Sequence, residues 1–119
     1  MVLDEPGTPL RAARLPDPVP GEGELLLRVR ACGVCRTDVH VRDGEVRTTT
    51  RPIVPGHQIV GVVEHAGPGT STAPGTRVGV PWLGWTDGTC AFCATGRENL
   101  CTAARFTGLD IPGGFAELT

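Results

Sequence analysis

Residues 18–34 read PVPGEGELLLRVRACGV, and the order within them sets the fold class. A Pro/Gly turn comes first. Leu25, Leu27, Val29 and Ala31 then alternate with Leu26, Arg28 and Arg30, the period of two that marks a strand with one apolar face. The same grammar recurs downstream. IVGVVEHAG (residues 59–67) reads as a strand in which Gly61 marks a bulge or a close backbone approach. PGTRVGVPWLG (74–84) reads as a further strand after a Pro-Gly turn, and GGFAELT (113–119) as the start of another that the chain leaves in its middle. TDVHVRDGE (37–45) is read as one or two turns of helix, with Thr37 or Asp38 as N-cap and Gly44 as terminator.

Seventeen glycines and eleven prolines punctuate these runs rather than forming one tract. That is the composition of a β protein with many turns. No long amphipathic helix, repeat or low-complexity tract is present. The expected class is mainly β with short helices, in a barrel-like Greek-key arrangement. GPGTSTAPG (67–75) lacks the glycine spacing of a phosphate-cradling turn and no helix follows it.

The 119 residues suffice for one domain with a modest core. Net charge is −2, which offers no basic face to nucleic acid or an anionic membrane. All eleven basic residues are Arg, a bias read as codon composition. The N-terminal MVLDEPGTPL lacks the basic start and apolar run of a signal peptide, and no segment approaches a membrane span. Five cysteines are an odd set for a secreted disulfide framework. The reducing cytoplasm is the expected compartment, where close cysteines bind metal or do redox chemistry.

Two cysteine groups carry the chemistry. In WTDGTCAFCATGRENLC (85–101), Cys90 and Cys93 lie three apart and Cys101 follows, while a closed structural zinc site needs four ligands. Stepping back by three from Cys90 reaches Asp87, and a carboxylate is an acceptable fourth donor. His65 and water are the alternatives, and three metal-free thiols the plain reading. The second group is CGVCRTDVH (32–40). Cys32 and Cys35 read as half of a ribbon with Cys90 and Cys93, as a redox pair, or as one ligand, Cys35, beside a small apolar residue, Cys32. His57, held after Pro-Gly in VPGHQIVG (54–61), gains weight only in combination with Cys35, Asp38 and the lobe.

Taken in order, ACGVCRTDVH (31–40), PIVPGHQIVGVV (52–63), GTRVGVPWLG (75–84) and CATGRENLC (93–101) resemble the N-terminal catalytic domain of zinc-dependent, medium-chain alcohol dehydrogenases, from about Pro20 onward. The resemblance implies a GroES-like, partly open β-barrel over residues 1–119, with a zinc lobe at about 84–104. It also implies that the nucleotide-binding Rossmann domain of the full enzyme, and with it NAD or NADP, lies outside this chain.

By the same resemblance, Cys35 and His57 are ligands of a catalytic zinc whose third protein ligand lies downstream of the chain. Thr37 matches the hydroxyl that takes the substrate proton, and His40 the surface end of that relay. Asp38 matches the carboxylate that orients the histidine ligand, and Arg36 a contact to the coenzyme pyrophosphate. Asp87, Cys90, Cys93 and Cys101 match the structural zinc site, with Asp87 standing where the family has cysteine. Gln58 stands where the family usually has glutamate, which removes a charge near the zinc.

The implied activity is oxidation of a small primary or secondary alcohol to aldehyde or ketone by hydride transfer. The full-length enzyme is expected to be a homo-oligomer. The competing readings are a stand-alone zinc-binding β module without catalysis and the zinc-free quinone-reductase branch. The presence of Cys35, His57 and the lobe disfavours the latter.

Overall fold

The computed structural model describes residues 1–46, 48 and 51–119. Its elements are β1 (Leu25–Gly33), α1 (Arg36–Asp43), β2 (Gln58–Ala66), β3 (Arg77–Val80), β4 (Leu83–Trp85) and β5 (Arg105–Phe106), with single 3₁₀ turns at Cys93–Thr95 and Glu98–Leu100. β1, β2 and β3 form an antiparallel three-stranded sheet in sequence order, and β4 pairs with β5. The chain is therefore mainly β with short helices. Its sheets are open and do not close into a complete barrel, and the order β1-β2-β3 is a meander with no Greek-key crossing among the described elements.

β1 forms where the alternation placed it, but its faces switch. The register with β2 shifts between Leu26 and Leu27 and again between Val29 and Ala31. Each shift rotates the strand, so Leu26 is buried beside Leu27 although simple alternation assigns it to the polar face. Gly61 pairs with Val29 at the second shift. A Cβ there would meet Arg28 O at 3.1 Å and Leu27 Cβ at 3.2 Å, so Gly61 marks a close approach.

The run read as one strand over 74–84 is two. Pro81 offers no N–H to a ladder, and the chain passes there from β3 in one sheet to β4 in the other. The run GGFAELT is likewise no continuous strand. The amides of Gly113, Gly114 and Phe115 donate to the carbonyls of Val54, Gly56 and Pro55. The tail then bridges the free edge of β1, where Leu27 and Thr119 exchange two backbone bonds of 2.7 and 3.1 Å.

α1 has its N-cap at Cys35, not at Thr37 or Asp38. The Cys35 sulfur accepts from the Thr37 amide at 3.3 Å, and Asp38 accepts from the Cys35 amide at 2.8 Å, which closes a capping box. Cysteine has no place among the residues favoured at this position, so the cap lies two or three residues before those the sequence suggests. Gly44, in the left-handed region at φ 81°, ends the helix as expected. Leu3, Val41, Ile53 and Leu109 form the core cluster, with Leu10, Val46, Trp82 and Phe106 packed against it. The N-terminal segment thus reaches the core, with Leu3 bridged to Ile53.

Candidate metal centres

The segment Val54–Gly56, paired with Gly113–Phe115, delivers His57 to the mouth of β2. Gly56 has φ 95°, and a Cβ on it would lie 2.6 Å from the Phe115 ring and 2.8 Å from Cys32 Sγ. No side chain fits there, and the backbone conformation is one that only glycine adopts freely. His57 is 6% exposed. Its Nε2 lies 3.0 Å from Cys35 Sγ, and its Nδ1 lies 3.2 Å from Oδ1 of the buried Asp38.

The Asp38 carboxylate divides its work. Oδ2 accepts the Cys35 amide, while Oδ1 faces His57 without a well-aligned hydrogen bond to any described group. One ring nitrogen thus faces a carboxylate and the other a thiol. This is how a histidine is oriented when it ligates a metal. Sulfur and nitrogen stand a little inside the roughly 3.6 Å that two such donors span on one tetrahedral zinc. Cys35, Asp38 and His57 each offer a ligand atom within 4.8 Å of the others, so the donor set fits a cation such as zinc.

A cleft of about 530 Å³ opens beside this group, lined by Cys35, Thr37, His57, Gln58, Pro81 and Trp82. Thr37 and Gln58 are therefore at the same opening as the donors. Arg36, at the start of α1, is exposed, and His40, one turn after Thr37, is half-buried. Trp82 was not singled out by the sequence. Its ring meets His57 edge-on at 4.8 Å and stacks on Phe106 at 5.0 Å, forming one wall of the cleft. The only signal for it was an aromatic residue just after the proline that ends β3.

The second group is Asp87, Cys90, Cys93 and Cys101, whose ligand atoms also lie within 4.8 Å of one another. Cys90 and Cys93 sulfurs are 3.6 Å apart, close to the roughly 3.8 Å edge of a zinc–thiolate tetrahedron. Asp87 belongs to the cluster and His65, exposed at the end of β2, does not. The Asp87 Oδ1 accepts the amides of Thr89 and Cys90 at 2.9 and 3.0 Å, which fixes the carboxylate and leaves Oδ2 for a cation. The Cys90 and Thr89 amides hold its pKa down at about 2.

The thiols respond oppositely to their surroundings. Burial, reinforced by the Cys90 thiol, pushes Cys93 up to about 12, while the Cys93 amide lowers Cys90. A bound divalent ion reverses such a penalty by deprotonating its thiol ligands.

Cys32 belongs to neither group. Its sulfur lies against Gly56 and Gly114, and burial raises its pKa. The ribbon of Cys32, Cys35, Cys90 and Cys93 is thereby corrected: Cys35 and the Cys90–Cys93 pair sit in separate clusters.

Comparison with known proteins agrees with this geometry. Residues 21–119 match the family described as the alcohol dehydrogenase GroES-like domain. The chain is 46% identical over 112 residues to a probable alcohol dehydrogenase, AdhA, of Mycobacterium tuberculosis, which covers 89% of this chain and 32% of that protein. It superposes at TM-score 0.91 and 35% identity on a cobalt- and zinc-bound thermostable alcohol dehydrogenase from Pyrobaculum aerophilum, over 99% of this chain and 37% of that one. It superposes at TM-score 0.88 and 37% identity on a zinc-binding dehydrogenase from Sinorhizobium meliloti bound to NADP, over 99% of this chain and 34% of that one. The chain thus spans about a third of the length of the proteins it matches.

Proposed function

The chain belongs to the alcohol dehydrogenase GroES-like domain family, and from that premise we propose that it is the N-terminal catalytic domain of a zinc-dependent, NAD(P)-linked alcohol dehydrogenase. The domain runs over residues 1–119 and carries its zinc lobe at about 84–104. The full-length protein oxidises a small primary or secondary alcohol to aldehyde or ketone. It draws its nucleotide site and a third catalytic-zinc ligand from outside these residues. The observation that carries the reading is the meeting of Cys35 Sγ with His57 Nε2 while Asp38 backs the other ring nitrogen.

Cys35 and His57 are the residues that would hold the catalytic zinc. Zinc supplies a Lewis acid that lowers the pKa of an alcohol hydroxyl. Asp38 keeps the His57 ring turned, so that Nε2 points at Cys35 rather than at solvent. Thr37, which lines the same opening, would accept the alcohol proton at its hydroxyl oxygen and pass its own proton outward on the side of His40, one turn on in α1. Trp82 and Pro81 exclude water from one side of the cleft. Arg36, exposed at the start of α1, would meet the coenzyme pyrophosphate, for which a planar bidentate donor is suited. Gln58 lines the opening without the charge of a carboxylate, so the electrostatics there come from the donor set. Asp87, Cys90, Cys93 and Cys101 would hold a second zinc with a structural role.

The test is the metal content of the chain compared with its Cys35→Ser and Cys93→Ser variants. It is paired with alcohol-dependent reduction of NAD or NADP by the full-length protein. Each substitution is expected to empty its own site and spare the other, and Cys35→Ser to abolish turnover. A metal content that Cys35→Ser leaves untouched, beside a filled lobe, points instead to a zinc-binding module without catalysis.

A further inference from the structure

Glu45 has no part in the reading above, yet a specific turn places it. α1 ends at Asp43, and Gly44 reverses the chain at φ 81°. Gly44 donates to Val41 O at 3.2 Å and Glu45 donates to His40 O at 2.9 Å, the paired bonds of a Schellman turn. A Cβ on Gly44 would lie 2.7 Å from Pro6 Cβ, so the turn is closed to other residues on two counts. Its effect is to bring the Glu45 carboxylate back onto the helix, where Oε2 hydrogen-bonds Nδ1 of His40.

Both side chains are partly open to water, at 33% and 56% exposure. A pair of this kind contributes little to stability. What it does determine is which ring nitrogen carries the hydrogen. A carboxylate only accepts, so Nδ1 must donate, and the lone pair of the neutral ring is left on Nε2. His40 follows Thr37 by three residues on α1, so the two share one helix face, and Thr37 lines the cleft.

We propose that Glu45 is a positioning residue that locks His40 in its Nδ1–H form, so that Nε2 receives the proton arriving from the side of Thr37. The proposal rests on the relay assigned to Thr37 and His40 above. The proton adds to the Nε2 lone pair and gives an imidazolium facing the Glu45 carboxylate. The ring then releases one proton to bulk water and returns to the Nδ1–H form.

The experiment is long-range ¹H–¹⁵N correlation of the imidazoles in the ¹⁵N-labelled full chain at about pH 9, where imidazoles are neutral. The His57 and His65 signals report that each variant is folded. His40 is expected as Nδ1–H in the unmodified chain. Glu45→Ala moves it to the Nε2–H form that a free imidazole prefers, and Glu45→Gln restores Nδ1–H through its amide oxygen. An Nε2–H ring in the unmodified chain, an unchanged tautomer in Glu45→Ala, or no restoration in Glu45→Gln would each overturn the proposal. The readout needs neither metal nor coenzyme. Its failure leaves the Cys35–His57 site standing, and loss of that site leaves the tautomer result standing.

Discussion

Nε2 of His57 faces Cys35 Sγ at 3.0 Å, across 22 residues of sequence, and the same sulfur caps the first turn of α1. The two tasks separate by substitution. Serine is a better N-cap than cysteine but a poor zinc ligand. Cys35→Ser is therefore expected to lose the metal of this site and keep the stability of the metal-free chain within about 1 kcal/mol. Cys35→Ala loses both, with a further cost of about 1 kcal/mol for the missing cap. Metal analysis beside urea unfolding in chelator distinguishes them. Equal metal content in all three chains sinks the assignment.

Asp38→Asn preserves shape and removes the charge behind His57. Metal affinity at the Cys35–His57 site is expected to fall about 10- to 100-fold, as for other carboxylates that orient a histidine ligand. Asp38→Ala also strips the half-buried Cys35 amide of its acceptor and adds about 1 kcal/mol of destabilisation. Competition with a chromophoric chelator measures the first effect and denaturant unfolding the second. An Asn variant that binds as tightly as the parent refutes an orienting role.

The Asp87 carboxyl, at about 2, is ionised before any metal arrives, whereas Cys93, at about 12, is protonated. Zinc binding at pH 7 should therefore release protons from the lobe thiols and none from residue 87. Asp87→Cys is expected to raise the count by up to one and to tighten retention, since thiolate is the softer donor. Calorimetry in buffers of different ionisation enthalpy counts the protons.

A depressed carboxyl also carries a pH signature. Its stabilising contribution is present above 3.8, the ordinary value, and fades as pH falls toward about 2. Acid unfolding of the metal-free Asp87→Asn chain should lack that component.

Gly56→Ala tests the positive-φ glycine that presents His57. The added carbon collides with Phe115 and with Cys32 Sγ, and φ 95° strains any residue with a Cβ. A loss of about 2 kcal/mol or more is expected, with weakened metal binding at His57 and an intact lobe. Full stability and full metal content in this variant would falsify the account of Gly56.

The positions of β1 and β2 and the grouping of Asp87 with the three lobe cysteines were legible, for reasons that differ by residue. The alternation over Leu25–Ala31 exposed β1, and the Val/Ile run after His57 exposed β2, because both are periodic at short range. That Asp87 joins the cysteine cluster was reachable because a loop returns donor side chains at fixed spacing. What escaped depends on contacts across the fold. The burial of Leu26 follows from a register shift that only the pairing with β2 creates. The division of residues 74–84 follows from sheet topology around Pro81. Trp82 is a wall of the cleft only because the bend between β3 and β4 sets it edge-on to His57 and stacked on Phe106. Cys35 as a cap was hidden because sulfur is an uncommon acceptor at a helix start.

The cap at Cys35 has a dynamic corollary. A thiolate accepts a hydrogen bond better than a thiol does, so drawing Cys35 into an ion's shell also firms its grip on the Thr37 amide. The helix that carries Thr37 and His40 would then be stiffened from the ion's side, and the ion would be held by a group already tethered to a regular element. Fraying of that first turn and escape of the ion become one coupled event, which amide exchange at Thr37 would time directly.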